Sequence, residues 1–216
     1  QTGLARHVVD IPYKPKPKFI EAGGVGFINI EEDGDGVLRR LPVVAEMDGL
    51  QVPHFFLRLL CQHLEYSPAN IEMINNYRLV LRDFPTENGT RDLEIPLDGS
   101  GNMIINYLNF DKIKKLISSG EFGSYSAWDF IHHPKPLDFD GKSVIFGDHS
   151  ATAKDFSNTP LDGQLPNPLI YAIAMGNILE GSFIHSTPAI TIPLFVLILF
   201  IITTITSFCV AQDFQY

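Results

Sequence analysis

The run ITIPLFVLILFIITTITSFCV, from Ile190 to Val210, decides how the chain is organised. It carries no charge, and as a helix rising 1.5 Å per residue it extends roughly 30 Å, about one hydrocarbon core. Fourteen of its residues are Ile, Leu, Phe or Val, each worth about −0.3 to −0.6 kcal/mol for insertion, so a sum of roughly −4 to −8 kcal/mol outweighs its few Thr and Ser. Pro193 falls in the first turn, where its missing N–H has no helical partner anyway. A buried core helix seldom runs this long without a polar face, so a membrane-spanning helix is expected. Residues 1–18 then read as a linker or the incomplete start of a domain, 19–188 as one folded domain, 189–210 as the transmembrane helix, and 211–216 as the start of the far-side segment.

All 16 Lys and Arg lie at or before Lys154, which leaves the flank preceding the helix free of positive charge and points the folded domain outward. Gln1 to Asp10 lacks the apolar core of a signal peptide, so an upstream segment is expected to be missing or removed. Tyr216 comes before any far-side loop, and the sequence reads as truncated there. The net charge of −9 gives no basic face for phosphate neutralisation, which argues against nucleic-acid binding. Cys61 belongs to the folded part and Cys209 to the apolar run, so neither a disulfide framework nor a thiolate metal site is expected.

Working back from the apolar run, Asn167 caps a helix with Pro168 at its first position and Gly181 just past its end, apolar nearly all round and therefore buried. Lys142 to Gly147 holds Val144, Ile145 and Phe146 unbroken, which suits a central strand buried on both faces. Asp111 to Ile117 and Ser126 to His132 read as short helices, the second opening with Ser126 and Asp129 in capping-box spacing. Tyr77 to Phe84 alternates as a half-buried strand, with loop from Asp83 onward. Leu93 to Leu97 and Met103 to Leu108 form a hairpin around the turn Asp98 to Gly101. Pro53 to Tyr66 is helical, with Phe55, Phe56, Leu59, Leu60, His63 and Leu64 on one face. Gly26 to Ile30 and Val37 to Val44 pair as a hairpin across the acidic turn Glu31 to Gly36. Lys14 to Lys18 alternates Lys and Pro, an extended connection. Strands alternating with helices predict an α/β fold, a mixed sheet with helices packed on it.

Few motifs carry chemistry. Asp33, Asp35 and Gly36 mimic part of a calcium loop, but counting from Glu31 the twelfth position is Pro42 and not the bidentate Glu that closes the shell. Gly141, Lys142 and Ser143 resemble the end of a phosphate-binding loop, yet the earlier glycine falls on Pro136 and the segment precedes a strand. Gly23, Gly24 and Gly26 miss a dinucleotide fingerprint at Asn29. No cofactor and no metal site is expected, and His132 and His133 read as surface residues. Asp148 and His149 follow the expected central strand, where α/β folds place ligands, so with Asp155 and Thr159 they are candidate ligand-binding residues.

The stretch Gly26-Phe-Ile-Asn29, Asp33-Gly-Asp35-Gly36-Val-Leu-Arg39-Arg40-Leu-Pro42 resembles the signature of the second class of CHASE sensory domains. The likeness continues in order through Ile95-Pro-Leu-Asp98, Gly101-Asn-Met-Ile-Ile-Asn106-Tyr107, Tyr125-Ser-Ala-Trp-Asp129, Asp140-Gly-Lys-Ser-Val-Ile145, and Asp155 with Thr159-Pro160, over roughly residues 19–188. The resemblance implies an extracytoplasmic, periplasmic input domain anchored in the inner membrane. An unknown small molecule or environmental stimulus would act on it, and the output would be an adenylate or other nucleotide cyclase, a diguanylate cyclase, a histidine kinase or a protein kinase beyond further membrane helices. It also implies a homodimer and a structural or ligand role for Asn29, Asp33, Asp35, Gly36, Arg39 and Arg40. The chain departs from the family at Asp148, His149 and Ser150, where small residues are usual, and at Pro166 to Ala172, where a Gly, an acidic residue and a His are replaced.

Two functions follow for testing. The leading one is a sensor, not itself an enzyme, that passes a conformational shift through the helix Asn167 to Glu180 into the membrane helix. The competing one is a membrane-anchored, hydrolase-like enzyme using Asp148, His149 and Ser150.

Overall fold

The computed structural model describes residues 7–8, 16–18, 24–47, 49–108, 110–119, 123, 125–132, 139, 141–148, 155–161, 163–186 and 191–213. The chain divides into two units, Gln1–His185 and Ser186–Tyr216.

The first unit is a mixed α/β structure, but its strands form several small sheets and not the single mixed sheet expected. Strand β1 (His7–Val8) runs parallel to β3 (Val44–Met47), which pairs antiparallel with β4 (Leu50–Pro53). Strand β2 (Arg40–Pro42) takes the distant β8 (Asn102–Ile104) as its antiparallel partner, with Leu41 opposite Met103 and both buried. The expected hairpin of Gly26 to Ile30 with Val37 to Val44 is therefore absent. Only the bridge Phe27↔His54 forms in its first arm, because Ile28 and Asn29 are exposed and gain nothing by pairing locally, whereas Leu41 and Met103 bury each other.

The second expected hairpin dissolves in the same way. Strand β7 (Gly89–Pro96) pairs with β6 (Arg78–Thr86), and β6 with β5 (Ile71–Asn75), while β8 leaves for β2. Asp83 is not the start of a loop: it sits at φ 51° in a register shift between Leu81 and Phe84, and the strand continues past it. Leu79, Leu81 and Ile95 point inward from this sheet and are fully buried.

Helix α1 (Phe55–His63) buries Phe56, Leu57, Leu60 and Cys61 and packs against α4 (Asn167–Glu180). Helices α2 (Phe110–Ser119) and α3 (Ala127–His132) match the expected ones, and the Phe130 N–H donates to the Ser126 carbonyl at 3.0 Å to open α3. α4 follows the short antiparallel pair β9 (Phe156–Thr159) and β10 (Gly163–Pro166). It ends at Gly181, whose φ of 63° is the left-handed conformation glycine adopts freely. The N-cap position belongs to Pro166, one residue before the expected Asn167, whose side chain is used elsewhere.

The expected central strand Lys142 to Gly147 is not a strand. Val144 is 59% and Phe146 85% exposed, and no described residue forms a ladder with them. A short apolar run lacking a paired neighbour has nothing to fix it in a sheet, whatever its composition.

The second unit contains α5 (Thr191–Asp213), 23 residues long, with its side chains described as far as Ser207. Among the fully described residues, no helix is long and apolar enough to cross a membrane.

Candidate functional site

The acidic turn before β2 is built by its own side chains. Gly36 adopts φ 73°, a conformation that suits glycine, and its N–H donates to the Asp33 carbonyl at 2.8 Å, while Asp33 N–H donates to the Val37 carbonyl at 3.0 Å. Two adjacent arginines then diverge. Arg39 turns back on the loop: its Nη1 and Nη2 donate to Asp35 at 2.9 and 2.7 Å, and Nη1 also reaches Asp33 at 2.9 Å. The hydrogen bonds from Arg39 hold the Asp35 carboxyl at about 2, well below the ordinary carboxylate range.

Arg40 points the other way. Its Nη1 donates to Asp98 at 2.8 Å, and its buried Nε lies 3.2 Å from an Asp33 carboxylate oxygen in an ion pair. Asp33 is thus shared by both guanidinium groups. Asp98 is the better-fixed carboxylate, with only 3% of its side chain exposed. It accepts from Ser100 N at 2.8 Å and from the N and Nδ2 of Asn102, both at 3.1 Å. Burial alone would raise its pKa, but the hydrogen bonds from Arg40, Asn102 and Ser100 more than reverse that and keep it ionised.

Around this cluster lies an open cleft of about 310 Å³, walled by Glu31, Glu32 and Asp33 on the turn and by Arg40, Asp98, Ser100 and Asn102 at the β2–β8 seam. Its lining offers carboxylates, one guanidinium, a hydroxyl and an amide, groups that can bind a polar molecule by charge and hydrogen bonds. Among the described residues no group of His, Cys, Asp and Glu is arranged to hold a metal ion.

Of the signature residues, Asp33, Asp35, Arg39 and Arg40 come together here, and Gly36 shapes the turn. Asn29 is exposed on the preceding coil, outside the cleft. Asp98, Ser100 and Asn102 were not singled out as site residues from sequence. The signal available was the Asp98-Gly-Ser-Gly-Asn102 spacing, in which an Asp side chain folds back on amides two and four residues later.

The other candidates fall elsewhere. Asp155, Ser157 and Thr159 lie on one face by strand alternation. Asp155 accepts from Asn167 Nδ2 at 2.8 Å, and Asn167 in turn accepts from the buried Ser157 hydroxyl at 2.8 Å. This chain fixes the start of α4, and the Thr159 hydroxyl, also buried, has no hydrogen-bond partner among the described residues. Asp148 is exposed on coil, and His149 and Ser150 lie outside the described residues.

The site is locked to the rest of the unit through backbone. Leu38 N–H donates to the Asn158 carbonyl at 2.8 Å, Asn158 Nδ2 to the Gly36 carbonyl at 3.1 Å, and the Tyr107 hydroxyl to the Leu38 carbonyl at 2.8 Å. The family model described as CHASE2 domain matches residues 3–210. The chain belongs to the CHASE2 domain family. CHASE2 domains are extracytoplasmic sensory domains of membrane proteins, and the acidic turn, the β8 segment and α4 all lie within the matched residues. The chain matches no curated protein and no solved structure.

Proposed function

We propose that residues 19–188 sense a small polar stimulus on the periplasmic side of the inner membrane. In this reading α5 spans the membrane and carries the resulting shift to a cytoplasmic cyclase or kinase, in a homodimeric protein. The observation that carries it is the reach of the CHASE2 match, which runs past the folded unit to residue 210, through most of α5. A helix of 23 residues rises about 34 Å. That length and the uncharged run Ile190 to Val210 support insertion in a bilayer. The stimulus site is assigned to the cleft of Asp33, Arg40, Asp98 and Asn102. Its lining is polar and open, as a reversible ligand needs, whereas the Asp155–Asn167–Ser157 chain is spent on fixing a helix.

Two measurements test the parts separately. Ser118 is exposed, so a Ser118→Cys variant in spheroplasts should react with a membrane-impermeant maleimide without lysis; reaction only after permeabilisation overturns the sidedness. Reading the gene beyond Tyr216 should reveal further membrane helices and then a cyclase or kinase domain. A stop codon directly after Tyr216 overturns the relay.

A further inference from the structure

We infer that β8 and its continuation to Asn106 form a stiff rod that couples the charged cleft to the exit end of α4. This deepens the proposed sensing role by giving the relay a path, and it takes its direction, from cleft to membrane side, from that reading.

The rod is gripped at both ends. At its start Asn102, 8% exposed, donates from N and Nδ2 to Asp98, which holds Arg40 at 2.8 Å. At its end the Asn177 side chain stands in for a neighbouring strand. Its Oδ1 accepts from Asn106 N at 2.9 Å and its Nδ2 donates to the Asn106 carbonyl at 3.1 Å. The Asn106 side chain adds a bond to the Ser182 hydroxyl at 2.6 Å, and Ser182 N–H donates back to the Asn177 carbonyl at 2.8 Å, closing the last turn of α4.

Between the ends there is no slack. Asn102, Met103 and Ile104 pair with Pro42, Leu41 and Arg40, and Ile105 N–H extends the ladder to the Arg39 carbonyl at 2.9 Å. Met103 and Ile105 are buried in the core at 1% and 2% exposure. Four extended steps separate Asn102 from Asn106, about 13 Å at the usual rise of a strand. A close-packed segment of that kind shifts as a unit and does not absorb a displacement along its length. A ligand that draws Arg40 or Asp98 into new bonds therefore loosens Asn102, and the loosening arrives at Asn106 and the Gly181–Ser182 cap.

Site-resolved hydrogen exchange on the full chain in detergent micelles tests this. In Asp98→Asn, which keeps the shape and removes the charge, exchange at the Asn106 and Ser182 amides should rise at least about fivefold, the low end of ordinary coupling between sites, with the β6 amides unchanged. By reciprocity Asn177→Ala should raise exchange at Asn102. Acceleration confined to Ser100 and Asn102 overturns the rod. A uniform rise that includes β6 overturns it too, because general loosening then accounts for the effect. If Asp98→Asn does not fold, Arg40→Lys probes the same end and is held to the same outcomes. The exchange pattern does not depend on which side of the membrane the domain occupies, so a failed labelling experiment leaves this result standing, and the reverse.

Discussion

Helices α4 and α5 are nearly alike in composition and opposite in setting. Both are apolar nearly all round. In α4, Ile170, Ala174 and Ile178 are completely buried, whereas in α5 every described side chain is exposed, from Ile192 at 69% to Ile205 at 57%. Their polar residues explain the difference. Asn167 and Asn177 of α4 bond to Asp155, Ser157 and Asn106, and the Tyr171 hydroxyl donates to the Ile28 carbonyl at 3.0 Å. In α5 the hydroxyls of Thr203 and Thr204 turn back on the Phe200 carbonyl and Thr206 on Thr203, all bonds within the helix itself. A helix built for a protein interior borrows partners from its neighbours. If α5 spans a membrane as proposed, such self-contained bonding is what it needs, because lipid offers no hydrogen bonds.

The contrast is broken most directly by truncation. Ile178→Ala should cost about 2–5 kcal/mol in urea unfolding of the folded unit, the range for a fully buried aliphatic residue. Leu199→Ala in α5 should leave that unfolding midpoint within about 0.5 kcal/mol of the parent. Equal losses would mean that the two helices share one kind of environment. The reverse experiment places a charge in α5: Leu199→Arg should weaken membrane insertion of the helix by about 3–4 kcal/mol, the cost of Arg plus the lost gain from Leu, read as a fall in the inserted fraction of α5 in a translocon insertion assay. The folded unit should unfold at the same urea concentration as before. Poor insertion of the parent α5 in that assay would remove its membrane reading.

The same contrast explains what the chain reveals of itself before folding. Helices α1 and α4 were legible because their signals are local: apolar residues recur at helical spacing along α1, and in α4 Pro168 opens the pattern and Gly181 closes it within one element. The acidic turn was legible as a turn, and Arg39 and Arg40 as signature residues just after it. Their partners were only half legible. Asp35 lies four residues from Arg39 and can be guessed, but Asp98 lies 58 residues from Arg40, and only pairing of β2 with β8 brings it near. Both expected hairpins failed for that reason, since a ladder between distant strands is chosen by mutual burial and leaves no trace in either strand alone. Lys142 to Gly147 failed by the opposite error: its apolar run named an environment, and composition does not supply the neighbour that creates one.

Acid gives the finest test of the difference, through His54. Its ring is fully buried beside Phe27 and Phe56, both at 4.8 Å between centroids, and beside Tyr171 of α4 at 5.2 Å. Nδ1 accepts from the Phe56 N–H at 3.4 Å and so caps α1 in the neutral form. Burial, opposed only in part by the Asn29 backbone, pushes its pKa down to about 3. The unfolded chain takes up this proton near the ordinary value of about 6.5, so between roughly pH 6.5 and 3 the unfolded state binds more protons and stability falls as pH falls. The slope reaches at most about 1.4 kcal/mol per pH unit, and above about pH 6.5 the group contributes none. His54→Asn keeps a capping acceptor and cannot titrate, so its urea-unfolding free energy should decline less steeply from about pH 7 to pH 4. Asp35 and Asp98 act in both proteins: their lowered pKa values give stability that is present above about pH 4 and lost below it, and the difference between the two curves removes them. Parallel curves would show that the imidazole reaches water in the folded state. Over the same range membrane association should stay constant, because no Asp, Glu or His lies between Ile190 and Val210 and the acid response belongs to the helix packed in protein.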